Sequence, residues 1–111
     1  MSIFINPLDQ QKIIIGANTS LPSFAVQGDQ GSYYSTNGGI AWSGTDVLTS
    51  IADTLSDPAV AVDRNGNTFH NFLRKDGLRN KLIVRKSTNG GATWPIEVEI
   101  QNVGYRPDKN H

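Results

Sequence analysis

Ser87-Thr88-Asn89-Gly90-Gly91-Ala92-Thr93-Trp94 repeats, at six of its eight positions, the earlier stretch Ser35-Thr36-Asn37-Gly38-Gly39-Ile40-Ala41-Trp42. The two octets lie 52 residues apart, and a period of about 40 to 50 residues marks one supersecondary unit used more than once. Asn-Gly-Gly supplies consecutive positions that tolerate positive φ, and an Asn side chain can bond its own backbone two residues on. The leading Ser can tie down a loop amide. The closing Trp offers a large apolar body with one N–H donor, suited to pinning the turn against a neighbouring sheet. Each octet is therefore expected to be a rigid turn joining two strands.

The flanks agree with that expectation. Ser2–Ile5 reads as a short strand ended by the turn Asn6-Pro7-Leu8-Asp9, and the β-branched run Lys12–Gly16 reads as a strand buried on both faces. Residues Asn18–Gly28 read as a connecting loop, with extended structure around Phe24-Ala25-Val26. Gly31–Ser35 enters the first octet and Ala41–Leu48 leaves it. A second set follows: Asp57–Asp63, the turn Arg64-Asn65-Gly66-Asn67, Thr68–Leu73, Lys81–Lys86 into the second octet, and Ile96–Ile100 out of it with period-2 alternation. Four strands precede a connection and four follow it. Phe4-Ile5-Asn6, a turn and Ile13-Ile14-Ile15 align with Ala61-Val62-Asp63, a turn and Phe69-His70-Asn71.

The octets resemble the Asp-box, or BNR repeat, Ser-x-Asp-x-Gly-x-x-Trp, of sialidase-like β-propellers. Both match the Ser, the second Gly and the Trp, and both put Asn (Asn37, Asn89) where the family prefers Asp. Asn keeps the carbonyl acceptor and drops the charge. The structural Asp-box residues implied by the resemblance are Ser35, Asn37, Gly39 and Trp42, then Ser87, Asn89, Gly91 and Trp94. The implied fold is all-β: two four-stranded antiparallel meander blades. Residues 1–50 would form the first blade, 51–56 the inter-blade connection, 57–104 the second blade and 105–111 the lead-in to a further one.

Propellers close with about four to eight blades, and repeat units need about three copies to bury a continuous core. Two blades are therefore expected to be completed by missing chain or by oligomerisation, three copies giving six blades. A compact face-to-face sandwich is the third arrangement considered.

Composition bounds the function. A chain of 111 residues with 37% hydrophobic and 18% charged content suits one small globular domain. Ten basic and ten acidic residues leave no net charge, so nothing global points to nucleic acid or to an anionic membrane. The zero cysteine count removes disulfides, thiolate metal sites and a cysteine nucleophile. Met1–Asn6 lacks the basic and apolar regions of a secretory signal, while the family resemblance implies a secreted or cell-surface protein.

No catalytic constellation can be assembled from the residues present, and no cofactor or metal is expected. A sialidase resembling the family would bring an arginine triad, a Tyr nucleophile with its Glu partner and an Asp acid/base. The family's Phe-Arg-Ile-Pro signature is absent: Tyr105-Arg106-Pro107 lacks the Ile and follows the octets. Arg106, Tyr105 and Tyr33 are the candidate ligand-binding residues, each weighed against an ordinary surface role. Glu97 and Glu99 alternate with apolar residues, which reads as the solvated face of a sheet. Asp63-Arg64-Asn65-Gly66-Asn67 reads as a hairpin turn over a calcium loop, because the distal bidentate Glu is missing. His70 and His111 have no partner at metal-ligand spacing. Arg74, Lys75, Arg79, Lys81, Arg85 and Lys86 form a basic cluster that reads as a loop and the wet side of an edge strand, over an anion-binding patch.

The expected function is a non-catalytic β-propeller segment, a binding or structural module for glycan or protein, with part of a sialidase-like glycoside hydrolase as the alternative. Expected partners are further copies of the chain or the remainder of a longer one.

Overall fold

The structure, a computed structural model, describes residues 1–19, 29–48, 54–76 and 79–100. Among the described residues the chain is all β, with two four-stranded antiparallel sheets and no helix. The N-terminal sheet runs β1 (Ser2–Ile5), β2 (Ile13–Thr19), β3 (Asp29–Ser35) and β4 (Ser43–Thr45), in that spatial order. The C-terminal sheet repeats the order with β5 (Thr54–Val62), β6 (Thr68–Asp76), β7 (Arg79–Ser87) and β8 (Ile96–Ile100).

The first turn of each sheet is made by one polar side chain folding back on the backbone. Asn6 Oδ1 accepts from Leu8 N at 2.9 Å, and Asp63 Oδ1 accepts from Asn65 N and Asn67 N, both at 2.8 Å. These are Asx turns, in which the side chain stands in for a backbone carbonyl.

Several strands depart from the boundaries expected of them. β4 is three residues long instead of spanning Ala41–Leu48, because Trp42 and its neighbours still belong to the turn. β2 runs on to Thr19 and β3 starts at Asp29, which leaves the middle of the expected loop outside the described residues. β5 begins at Thr54 and passes through Asp57-Pro58 instead of starting there. Between Ser56 and Ala59 its register slips by one residue against β6, and Asp57 takes a φ of 54°. Such a bulge places a Pro, which has no N–H, where the ladder is already interrupted.

Directly paired residues share a face, so the registers sort the side chains. Ser2, Phe4, Ile14, Gly16, Ser32 and Tyr34 lie on one face of the N-terminal sheet. Val60, Thr68, His70, Phe72, Ile83 and Arg85 lie on one face of the C-terminal sheet. These two faces meet, with β5 packed on β1, β2 and β3. Val60 N donates to Ser2 Oγ across the interface at 3.2 Å. Ile14, Val60, His70, Phe72 and Ile83 are buried there, and Leu48, Leu55, Phe72 and Ile83 form a cluster with Trp94 packed against it. The Lys12–Gly16 run, expected to be buried on both faces, is buried at Ile14 and Gly16 and only half-buried at Ile13 and Ile15.

At Gly16 the two sheets approach closely. A Cβ there would stand 2.9 Å from His70 Nε2 and 2.9 Å from Val60 Cγ1. His70 is fully buried, with its ring edge-on to Phe72 and Trp94 at centroid distances of 5.8 Å. Neither of its ring nitrogens finds a hydrogen-bond partner among the described residues. Burial, helped by the Arg85 charge, pushes the imidazole from 6.5 down to about 4, so at neutral pH it packs as an uncharged ring.

Two outcomes are expected. Gly16→Ala overpacks the interface and costs about 1–3 kcal/mol, read as a fall in Tm of several degrees by thermal unfolding. Between pH 6.5 and about 4 the unfolded chain binds a proton at His70 that the folded chain refuses. The stability due to the neutral ring is therefore complete above about pH 6.5 and declines as pH falls toward 4, by on the order of 3 kcal/mol. Urea unfolding of His70→Phe across this range should show a flatter pH dependence than the parent chain.

Candidate functional site

The two octets share their Ser and Asn hydrogen bonds. In the first, Ser35 Oγ accepts from Gly39 N at 2.9 Å and from Asn37 N at 3.3 Å, and Ser35 Oγ donates to Asn37 Oδ1 at 3.0 Å. In the second, Ser87 Oγ accepts from Gly91 N at 2.9 Å and Asn89 N at 3.3 Å, and donates to Asn89 Oδ1 at 2.8 Å. Each Asn carbonyl then accepts from a later backbone amide at 2.9 Å: Ala41 N from Asn37, Thr93 N from Asn89. The acceptor oxygen is all this turn needs, so Asn serves. Gly39 and Gly91 take φ of 88° and 100°, values that glycine reaches without strain.

The tryptophans diverge. Trp42 is 42% exposed and its Nε1 donates to Gly39 O at 2.9 Å, which pins the turn to itself. Trp94 instead packs on the inter-sheet cluster.

A charged ladder crosses the C-terminal sheet on its covered face. Arg85 Nε and Nη2 both reach Glu97 Oε2 at 2.7 Å, and Arg74 Nη1 reaches Glu97 Oε1 at 3.0 Å. Arg74 and Lys81 meet Glu99 Oε2 at 3.6 and 3.3 Å. Arg85 also donates through Nη1 to Leu48 O at 2.5 Å, which ties the end of the N-terminal unit to the second sheet. Burial pushes the Glu97 carboxyl up, but Arg85 and then Arg74 outweigh it and hold the group below the ordinary carboxylate range.

This arrangement corrects one expectation. β7 lies inside its sheet, not at an edge, and the positive charges of Arg74, Lys81 and Arg85 answer Glu97 and Glu99 of β8 instead of guarding a free edge. Glu97 and Glu99 project on the same side as Phe72 and Ile83, with Glu97 exposed and Glu99 half-buried at the end of that face. The apolar residues between them look outward: Ile96, Val98 and Ile100 are 45%, 54% and 47% exposed. The opposite-charge pairing Arg85 to Glu97 could have been read from two alternating strands, had their register been known.

Tyr33 and Tyr34 point to opposite faces of β3. Tyr33 O–H donates to Asp46 Oδ1; that bond, with burial and the Asp46 charge behind it, pushes the phenol up to about 12. Tyr105, Arg106 and His111 lie outside the described residues. The Asp63 loop closes as a hairpin, with Asp63 Oδ2 accepting from Asn67 Nδ2 at 2.7 Å, so both carboxylate oxygens serve the turn. That side-chain bond first, with the backbone amides of Asn67 and Asn65 and the Lys86 charge, holds Asp63 below its usual range against the opposing effect of desolvation. No group of three His, Cys, Asp or Glu side chains among the described residues could hold a metal ion. A cavity of about 20 Å³ between the sheets, lined by Asn6, Ile14, Val62 and Thr68 among others, has room for a water and none for a sugar. No family model, curated protein or solved structure matches the chain.

Proposed function

We propose that the chain is a two-blade segment of a sialidase-like β-propeller acting as a non-catalytic binding or structural module, with glycan or protein as its ligand class. The observation that carries this reading is the identical hydrogen-bonding of the octets at Ser35 and Ser87, 52 residues apart, each joining the third and fourth strands of its sheet. A module repeated with the same Ser and Asn bonds to its turn amides is a scaffold whose rigidity comes from local bonds. Glu97 and Glu99, the two carboxylates of β8, are engaged by Arg74, Arg85 and Lys81.

The functional test is paired. The purified chain is screened on an array of sialylated and neutral glycans and incubated with a fluorogenic sialoside; retention without turnover is the expected result. Turnover abolished by Arg106→Ala would replace the reading with the hydrolase. The scaffold role of the octets has its own check. Ser87→Ala removes a buried acceptor of two amides and should cost about 1–3 kcal/mol, seen as a lower urea midpoint, and Ser35→Ala should act in the same direction.

A further inference from the structure

Among the described residues, each sheet has a second face turned away from the interface, and both of these faces carry exposed apolar residues. On the N-terminal sheet, Ile3 and Ile5 are 58% and 51% exposed, with half-buried Ile13 and Ile15 beside them. On the C-terminal sheet, the face opposite the ladder carries exposed Ile96, Val98 and Ile100 and half-buried Phe69, Leu82 and Val84, alongside buried Leu73 and the polar Asn71 and Lys86. Contiguous exposed apolar surface of this kind marks an interaction site.

The registers show how these faces relate to the interface already formed. Ser35 and Ser87 are equivalent, so Tyr34 answers to Lys86 and Tyr33 to Arg85. Carried across the ladders by pairing, Ile14 answers to Phe69 and Gly16 to Asn71, while Ile15 answers to His70 and Ile3 to Val60. Ile14 and Gly16 lie on the covered face of the first sheet, and their counterparts lie on the open face of the second. Val60 and His70 lie on the covering face of the second sheet, and their counterparts lie on the open face of the first. The sheets are thus stacked head to tail, front on back. The two open faces are the unused halves of the interface that holds the molecule together.

Both halves of that interface stand on one chain, so a further copy presents to each open face the counterpart it lacks. We infer that a second copy of this chain covers the open face: the Phe69 and Val98 face of one copy docks on the Ile3 and Ile15 face of the next, continuing the internal stacking. Such contact is heterologous and propagates until a ring closes. The inference rests on reading the sheets as repeated propeller units, and not on any ligand.

The experiment uses the full chain and two charge variants at exposed positions, Ile3→Lys and Val98→Lys, each followed by light scattering over a concentration series. The parent chain should show a mass at least twice the 12.1 kDa of one chain. Each variant alone should fall to the mass of one chain, since each lacks one half of the interface. Mixed in equal amounts they should form a one-to-one pair of twice that mass, because Ile3→Lys retains the second face and Val98→Lys the first; the pair also shows that both variants fold. A monomeric parent chain, a single variant that still self-associates, or a mixture that stays monomeric overturns the inference. Glycan retention by a monomeric parent chain would do so while leaving the binding reading in place.

Discussion

His70 and Val60 occupy the room that a side chain at position 16 would take. This contact between a residue with no side chain and a buried ring sets the distance between the sheets, and much else follows from it. It makes the even positions of β2 the inward ones, which puts Ile14 in the core. It also shields the His70 ring from water on the side where a polar partner would otherwise be needed. Unpaired imidazole nitrogens in a dry interface are costly; a neutral ring edge-on to Phe72 and Trp94 is the arrangement that limits the cost.

Because pairing carries sidedness from strand to strand, that one contact also decides the face of β8, three strands away from β5. Glu97 and Glu99 fall on the side that faces the other sheet, partly open to water. Arg74, Lys81 and Arg85 on the same side answer them, and Arg85 binds the Leu48 carbonyl as well. Partly buried pairs of this kind contribute less to stability than to geometry. Their effect is to fix the register of β8 and the position of the segment leaving β4. The apolar residues of β8 are left facing outward as a consequence of register, with no local preference of their own to explain it.

The same distinction explains what was legible in the sequence. The turns at Ser35, Ser87, Asn6 and Asp63 could be read in advance because each is built from a polar side chain and amides within four residues of it. The eight-strand, all-β layout could be read from the spacing of those turns. Sidedness could not. Ile96-Glu97-Val98-Glu99-Ile100 alternates cleanly, but alternation does not say which set points inward; that is settled by Arg85 and Arg74 on neighbouring strands. Asp57-Pro58 looked like the start of a strand because Pro usually sits there, whereas the bulge at Ser56 to Ala59 lets a strand pass through it. The closeness of the sheets at Gly16 was invisible too, since a glycine in a β-branched run carries no mark of what lies opposite.

Edges and faces of a sheet compete as routes to association, and here the edges are blunted. β1 has four residues and β4 only three, too few for a long ladder with another chain. β5 is interrupted by its bulge and by Pro58, which offers no N–H. β8, the remaining edge, is five residues long with charged side chains at alternate positions. Short or interrupted edges suppress strand addition, and with it the open-ended pairing that leads to aggregation. The apolar faces carry no such protection: Ile3 and Ile5 on one side and Val98 and Ile100 on the other stand exposed. Blunted edges beside exposed apolar faces favour contact through faces over strand addition, and face-to-face contact is the geometry that the chain's own two sheets already use.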